Sequence, residues 1–283
     1  MLLVTGATGN NGSEIIKRLA MQNVPVRAMV RDRAKAMTAP NVEVVEADFD
    51  RPETLLSALS DVDRAFLLTN SSEHAEAQQL AFVEAAKQSG VAQIVKLSQF
   101  AADPNSPVRF LRYHAVVEAA IQASGIAYTF LRPNLFMQGL LNFKSTITSQ
   151  DAFYAAIGDA KVSMIDVRDI ADVAIAALTE TGHEGKIYDL TGAQALTHTE
   201  AAQSLSDAIG HKINFVDISP DQMLETLLSV HFPTWQAEGL IEDYAHYQRG
   251  EASMIASGVQ DATGKAPRRF ETFAQDYAPM FRQ

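Results

Sequence analysis

Residues 5–12 read Thr5-Gly6-Ala7-Thr8-Gly9-Asn10-Asn11-Gly12, and they decide the fold because they join an apolar run to an amphipathic segment. The run 2–5 predicts a buried strand, and apolar residues with helical spacing predict a helix over 13–21. Glycines at such a junction allow a tight turn, and the helix N-terminus attracts a pyrophosphate through unpaired N–H groups and its dipole. The stretch predicts dinucleotide binding by Gly6, Thr8, Gly9, Asn10, Asn11 and Gly12. The alternative is a glycine-rich turn without a ligand.

Short apolar runs alternate with helical patterns as far as residue 133. Strands are predicted at 26–30, 42–46, 65–68, 93–97 and 127–131, with helices at 51–59, 74–89 and 108–123. This alternation predicts βαβ units and therefore an α/β fold, a Rossmann-type doubly wound parallel sheet. We expect residues 1–133 to form an NAD(P)-binding domain. Residues 134–283 predict a small α/β C-terminal cap, with about 160–192 returning to the main sheet.

Composition excludes several classes of site and partner. Thirty-four acidic residues against 23 Lys and Arg give a formal charge of −11, which disfavours nucleic acid and anionic membrane partners. The chain has no cysteine, which removes disulfides, thiolate metal sites and cysteine nucleophiles, and its seven histidines are scattered, so no metal is expected. No apolar stretch is long enough to span a membrane and no targeting segment is evident, which predicts a cytoplasmic location.

The second predicted strand ends in Met29-Val30-Arg31-Asp32. Arg31 follows the last loop glycine by 31 − 12 = 19 residues, where the ribose of the adenosine is expected. A guanidinium there suits a 2′-phosphate, which it can hold through paired hydrogen bonds. The neighbouring Asp32 leaves NADH open, and a solvated charged turn is the simpler alternative. The sequence favours NADPH over NADH.

These residues, with Ala47-Asp48-Phe49-Asp50 and Phe130-Leu131-Arg132-Pro133-Asn134, resemble the NmrA-like group of atypical short-chain dehydrogenases. The likeness covers nearly the whole chain and is strongest to bacterial NADPH:quinone reductases and triphenylmethane reductases. It implies a nicotinamide held between the Rossmann domain and the cap. By position it implies further cofactor contacts beside the adenine (Asp48, Phe49), along the middle (Leu68, Thr69, Asn70) and around the nicotinamide (Ser98, Gln99, Pro133, Asn134).

One departure from the usual short-chain dehydrogenases concerns the proton donor. Those enzymes use a tyrosine with a lysine four residues later, whereas Tyr113 is followed at that spacing by Val117. His114 and Glu118 instead share a helix face. We interpret Tyr113, His114 and Glu118 as candidate catalytic residues; the His–Glu pair is either a proton relay or a structural contact.

Without that dyad, reduction of a simple ketone is disfavoured, since a developing alkoxide needs an acid beside it. A small conjugated acceptor such as a quinone mainly needs orientation in an apolar slot. Candidate slot residues are His74, Phe136, Met137, Phe143, Tyr154, Phe232 and Trp235, and ordinary packing is the alternative for each. Two other functions stay open: a non-catalytic NADP(H)-binding redox sensor, and isomerisation or reduction of a biosynthetic intermediate. A homodimer is compatible with the sequence, which does not decide the oligomeric state.

Overall fold

The computed structural model describes residues 1–282, in which seven parallel strands form one sheet of order β3-β2-β1-β4-β5-β6-β8 and two more form a parallel pair, β7-β9. The predicted Rossmann-type sheet is confirmed, since the strand order reverses between β1 and β4. The strands are β1 (Leu2–Val4), β2 (Val26–Val30), β3 (Val42–Glu46), β4 (Arg64–Leu67), β5 (Gln93–Leu97), β6 (Ala127–Pro133), β7 (Ala152–Ala155), β8 (Lys186–Leu190) and β9 (Asn214–Asp217).

Helices cover both faces of the sheet and build the cap. In the described chain they are α1 (Asn10–Met21), α2 (Glu53–Ala58), α3 (Ala75–Gln88), α4 (Arg109–Ser124), α5 (Lys144–Gln150), α6 (Val167–Thr179), α7 (His198–Ile209), α8 (Pro220–Ser229), α9 (Thr234–Gln248), α10 (Gly258–Thr263) and α11 (Phe270–Phe281). Two 3₁₀ segments, Arg33–Lys35 and Met137–Phe143, complete the regular structure. None of the helices in residues 1–282 combines the length and the apolar character that a membrane span requires.

Alternate residues of each central strand enter opposite cores, as the period of two requires. Val4 packs on the face covered by α1, α6 and α10, whereas Leu3 packs on the face covered by α2, α3 and α4. The third core, inside the cap, joins α7 and α11 around Phe153 and Phe273. Both outer layers hold the central strands rigidly, so the loops at their carboxyl ends have fixed starting points.

Strand β8 pairs with β6, from Thr129 opposite Lys186 to Pro133 opposite Leu190. The domain boundary at residue 133, with about 160–192 returning to the main sheet, stays a prediction; β6 ends at Pro133. Two capping boxes fix helix starts in the cap. Thr197 accepts from the Glu200 N–H before α7, and Ser219 accepts from the Gln222 N–H before α8.

Helix α9 was not predicted from the sequence pattern. Its buried positions are mainly small or polar, as Ala237, Gly239, Asp243 and His246 illustrate, so they leave no apolar stripe of helical period. Its packing is instead ionic and aromatic. Arg109 at the start of α4 bonds Glu242 (2.7 Å) and Glu238 (3.1 Å), and its guanidinium lies over Trp235. This contact brings α9 to the edge of the site.

Candidate active site

A cleft of about 710 Å³ runs along the carboxyl ends of β1, β2, β4, β5 and β6, where open α/β sheets bind their ligands. All of the predicted cofactor residues except Gly12 line it. The lining set is Gly6, Thr8, Gly9, Asn10, Asn11, Arg31, Asp48, Phe49, Leu68, Thr69, Asn70, Ser98, Gln99, Pro133 and Asn134. The topology therefore brings to one edge residues that are up to 128 positions apart (134 − 6) in the chain.

Gly12 lies beneath the loop in the first turn of α1. A Cβ at this position would stand 2.2 Å from the Gly6 carbonyl oxygen, so only glycine lets the helix pack against the turn. The helix begins without a side-chain cap and without an acidic residue in its first turn. The Asn11 Oδ1 is buried and has no hydrogen-bond partner in the described chain. The open N–H groups and the helix dipole suit an anionic group, whereas the Asn11 Oδ1 is an acceptor that needs a donor such as a ligand hydroxyl.

The two residues that decide between cofactors are used differently. The Asp32 carboxylate caps the following 3₁₀ segment by accepting from the Ala34 N–H at 3.0 Å. The Arg31 side chain is exposed at the end of β2 and has no partner within residues 1–282. Arg31 is thus free to bind a 2′-phosphate, whereas the Asp32 carboxylate is already hydrogen-bonded to the backbone. This arrangement favours a phosphorylated ribose.

Tyr113 lies in the cleft wall without a basic partner. Its hydroxyl is 3.0 Å from the Ser71 Oγ, and burial raises the pKa of Tyr113 to about 12. A tyrosine that serves as a general acid near neutral pH needs its pKa lowered instead. This environment makes Tyr113 a poor proton donor near neutral pH.

Lys96, which was not among the predicted site residues, is fully buried in β5 and contacts His114. The Lys96 ammonium donates to the His114 Nδ1 (2.8 Å) and to the Leu97 carbonyl (3.1 Å). Burial lowers the pKa of Lys96 to about 7, and burial together with Lys96 lowers the pKa of His114 well below its ordinary value. His114 is therefore neutral at physiological pH. A charged residue within the apolar run 93–97 was the available signal.

The predicted pairing of His114 with Glu118 does not occur as a direct contact in the described chain. Glu118 instead accepts from the Ser98 hydroxyl (2.5 Å) and from Arg132 (2.5 and 3.0 Å). The two residues face the helix side expected for i,i+4 neighbours, but β5 and β6 offer each a stronger partner. Glu118 is 4% exposed and does not line the cleft. The geometry supports a positioning role for Glu118, acting through Ser98.

Burial of Lys96 predicts a pH dependence of stability. Between about pH 7 and 10.5 the unfolded chain binds a proton at this lysine that the folded chain does not, so the free energy of unfolding rises with pH. Lys96→Met removes this contribution. We expect the wild type to gain stability relative to Lys96→Met from about pH 7 to about pH 10, measured by urea unfolding. The exposed Lys87→Met is the control, and parallel curves for wild type and Lys96→Met would contradict the expectation.

A second polar cluster lies at the α9 side of the cleft. The Asp243 carboxyl accepts from the Tyr247 hydroxyl (2.7 Å) and from the Gln99 Nε2 (3.0 Å to each oxygen). Burial raises the pKa of Asp243 to about 6, against the two hydrogen bonds, which lower it. Asp243 and Tyr247 were not predicted as site residues because they lie on α9, which was not predicted either. Their i,i+4 spacing gives no distinctive signal without the helix.

The predicted acceptor residues are divided between the cleft and its surroundings. Of that set, His74 and Phe136 line the cleft, with the His74 side chain 69% exposed at the rim. Met137 and Phe143 pack in the cap core, and Tyr154 bonds Gln150 on the β7 side. Trp235 packs behind Phe110 and Tyr113, while Phe232 is half-buried just before α9. The apolar residues that do line this end include Phe110, Leu135 and Leu240.

The chain matches a known protein family over most of its length. A sequence model described as the NmrA-like family matches residues 1–274. The chain belongs to the NmrA-like family. This confirms the resemblance inferred from residues 5–12, Arg31 and 130–134.

Relatives within the NmrA-like family include enzymes of known name. An NAD(P)H azoreductase of Xenophilus azovorans is 37% identical over 283 residues, covering 99% of each chain. A solved NADPH-dependent quinone oxidoreductase from Escherichia coli, complexed with NADPH, matches with a TM-score of 0.87 and 29% identity over 98% of this chain and 99% of that one. A Citrobacter triphenylmethane reductase complexed with NADP(H) matches with a TM-score of 0.86 and 29% identity over 98% of this chain and 100% of that one.

Proposed function

We propose that this chain is an NADPH-dependent reductase that transfers a hydride to a quinone or a similar conjugated acceptor. The observation that supports the proposal is the cleft itself, which connects the glycine-rich start of α1 to an apolar end lined by Phe110, Phe136 and Leu240. The names of the related azoreductase, quinone oxidoreductase and triphenylmethane reductase support the same reading.

Three features fit a phosphorylated dinucleotide. Gly12 lets α1 pack closely against Gly6, the buried Asn11 Oδ1 can accept from a hydroxyl or amide N–H of the dinucleotide, and Arg31 is free at the ribose end. We propose that the N–H groups at the start of α1 hold the pyrophosphate and that Arg31 holds the 2′-phosphate. The strand-end residues 48–49, 68–70, 98–99 and 133–134 would then follow the cofactor to its nicotinamide. Bound NADPH supplies the hydride.

The chain's own part in the reaction is orientation. The Ser98 hydroxyl donates to Glu118, so its oxygen lone pairs stay available to a donor in the cleft. Phe110 and Phe136 give the acceptor end apolar walls, which suit a flat conjugated ring. The raised pKa of Tyr113 makes it a poor counterpart of the tyrosine that usual short-chain dehydrogenases use with simple ketones, and the apolar walls favour a flat conjugated acceptor instead.

A panel of acceptors tests this function. Purified protein with NADPH should reduce benzoquinones, naphthoquinones, azo dyes or triphenylmethane dyes, followed by loss of NADPH absorbance, and should leave cyclohexanone and acetophenone unreduced. NADH should be the poorer donor. Tight NADPH binding without oxidation by any acceptor would favour the redox-sensor alternative, and turnover of ketones alone would contradict the proposal. The cytoplasmic location, the lack of nucleic-acid partners and a homodimer stay predictions from the sequence.

A further inference from the structure

The α9 side of the cleft holds a buried carboxylic acid, Asp243. Asp243 is 6% exposed and lines the same cleft as Ser98, Gln99 and Phe136. A carboxyl group is seldom buried this deeply without a cationic partner. Here its bonded partners within residues 1–282 are Tyr247 and Gln99, both neutral. The arrangement calls for a reason beyond packing.

The placement of Asp243 is fixed by close packing of α9 on α4. A Cβ on Gly239 would stand 2.4 Å from the Phe110 ring, so glycine lets the two helices approach at this turn. Arg109 holds the same pair of helices together through Glu242. Asp243 follows Gly239 by one helical turn and therefore reaches the cleft from a rigid element. Its bond to Gln99 places the carboxyl one side chain from the predicted nicotinamide edge.

The hydrogen bonds around Asp243 determine where its proton can go. The Tyr247 hydroxyl and the Gln99 Nε2 both donate to the Asp243 carboxylate, so both act as donors in these hydrogen bonds. Neither of these two hydrogen bonds provides an acceptor for the hydrogen of a protonated Asp243, and because Asp243 lines the cleft, an oxygen of a bound ligand can accept it. A buried acid in contact with a ligand is suited to give it a proton.

We propose that Asp243 is the general acid that protonates the reduced acceptor. This inference rests on the proposed function. Hydride addition to a quinone delivers two electrons and one hydrogen and leaves a hydroquinone monoanion. The Asp243 O–H bond then breaks as a new O–H bond forms on the anionic oxygen of this monoanion, which gives neutral hydroquinone and the Asp243 carboxylate. Solvent returns a proton to Asp243 after product release.

The groups around Asp243 set the pH at which this step operates. Burial raises the pKa of Asp243 to about 6, and the Glu242 carboxylate acts in the same direction, while Tyr247 and Gln99 lower it. Tyr113 faces it from α4, and Tyr244 and Tyr247 face it from α9; their pKa values are all raised, so they are neutral near pH 6. Arg109 on α4 is paired with Glu242. The kcat for quinone reduction should therefore fall as pH rises through about 6.

Two substitutions separate an acid from a structural residue. Asp243→Asn keeps the size of the side chain but removes the titratable proton, and it should lower kcat at least about 100-fold at low pH and abolish the dependence of kcat on pH near 6. Tyr247→Phe keeps the carboxyl group and removes one hydrogen bond that lowers the pKa of Asp243. The fall in kcat should therefore move to higher pH. Methyl-substituted quinones, whose hydroquinone anions are more basic, should show the larger effect. Melting curves control for folding.

A measurement without turnover completes the test. Infrared difference spectra of the ligand-free protein against pH should show a protonated-carboxyl band that titrates near pH 6, disappears in Asp243→Asn and shifts upward in Tyr247→Phe. A wild type that oxidises no NADPH with quinones would overturn the proposed function and this inference together. Wild-type turnover whose fall in kcat near pH 6 persists in Asp243→Asn, or spectra without the band, would overturn only the role of Asp243.

Discussion

Replacing Gly12 by alanine should raise the dissociation constant for NADPH at least about 100-fold, which corresponds to about 2.7 kcal/mol. The added Cβ would stand 2.2 Å from the Gly6 oxygen and 2.7 Å from the Gly6 carbonyl carbon, both of them backbone atoms. The loop must therefore shift, and the N–H groups at the start of α1 lose their alignment on the pyrophosphate. Overpacking of this kind should also cost about 1–3 kcal/mol of stability.

Titration of the intrinsic protein fluorescence with NADPH measures the binding, and thermal unfolding measures the stability. Gly139→Ala is the matched control, because a Cβ at that position meets no atom within 4 Å. It makes the same chemical change outside the cleft lining and should leave both quantities unchanged. If folded Gly12→Ala binds NADPH as the wild type does, the loop is not the phosphate site.

Replacing Arg31 by alanine should raise the KM for NADPH about 10- to 100-fold and change the KM for NADH by less than about twofold. The range follows from the 1.5–3 kcal/mol that a hydrogen bond to a charged group typically contributes. Arg31 lines the cleft at the end of β2, whereas Asp32 is occupied in capping the next turn. NADH lacks the 2′-phosphate and so has nothing for Arg31 to hold.

Initial rates with each cofactor at a fixed quinone concentration measure this discrimination. Arg33→Ala removes an equal charge two residues further on, from an exposed position outside the cleft lining, and should have only a small effect. Equal losses for NADPH and NADH in Arg31→Ala would remove Arg31 from the phosphate role. A large effect of Arg33→Ala on NADPH would instead point to a diffuse basic patch.

The Rossmann half of the molecule could be predicted because its signals are local. Strand runs such as 26–30 and 93–97 are short, apolar and bounded by turns, and residues 5–12 carry both the turn and the helix start. Parallel pairing then brings the strand ends together without further information. The loop residues 5–12 were predicted to bind a dinucleotide from this local pattern, whereas the contacts at 48–49, 68–70, 98–99 and 133–134 came from the family resemblance, and both sets stay predictions.

The acceptor end could not be predicted because it depends on contacts between distant segments. Asp243 faces the cleft only because Arg109 and Gly239 hold α9 against α4, and none of these positions is part of a periodic apolar pattern. Likewise, His114 and Glu118 share a helix face, but Lys96 on β5 and Arg132 on β6 decide their partners. Aromatic composition alone did not separate Phe136, which lines the cleft, from Phe143, which packs in the cap core.

Direct hydride transfer to a conjugated acceptor is tested most directly by single-turnover reduction of a quinone with NADPH deuterated at both C4 positions. The protein is first freed of any bound flavin. We predict that NADPH oxidation needs no added flavin, is slowed by a primary isotope effect and yields one hydroquinone per NADPH. Oxidation that occurs only when flavin is supplied, or none at all with quinones and dyes, would contradict it.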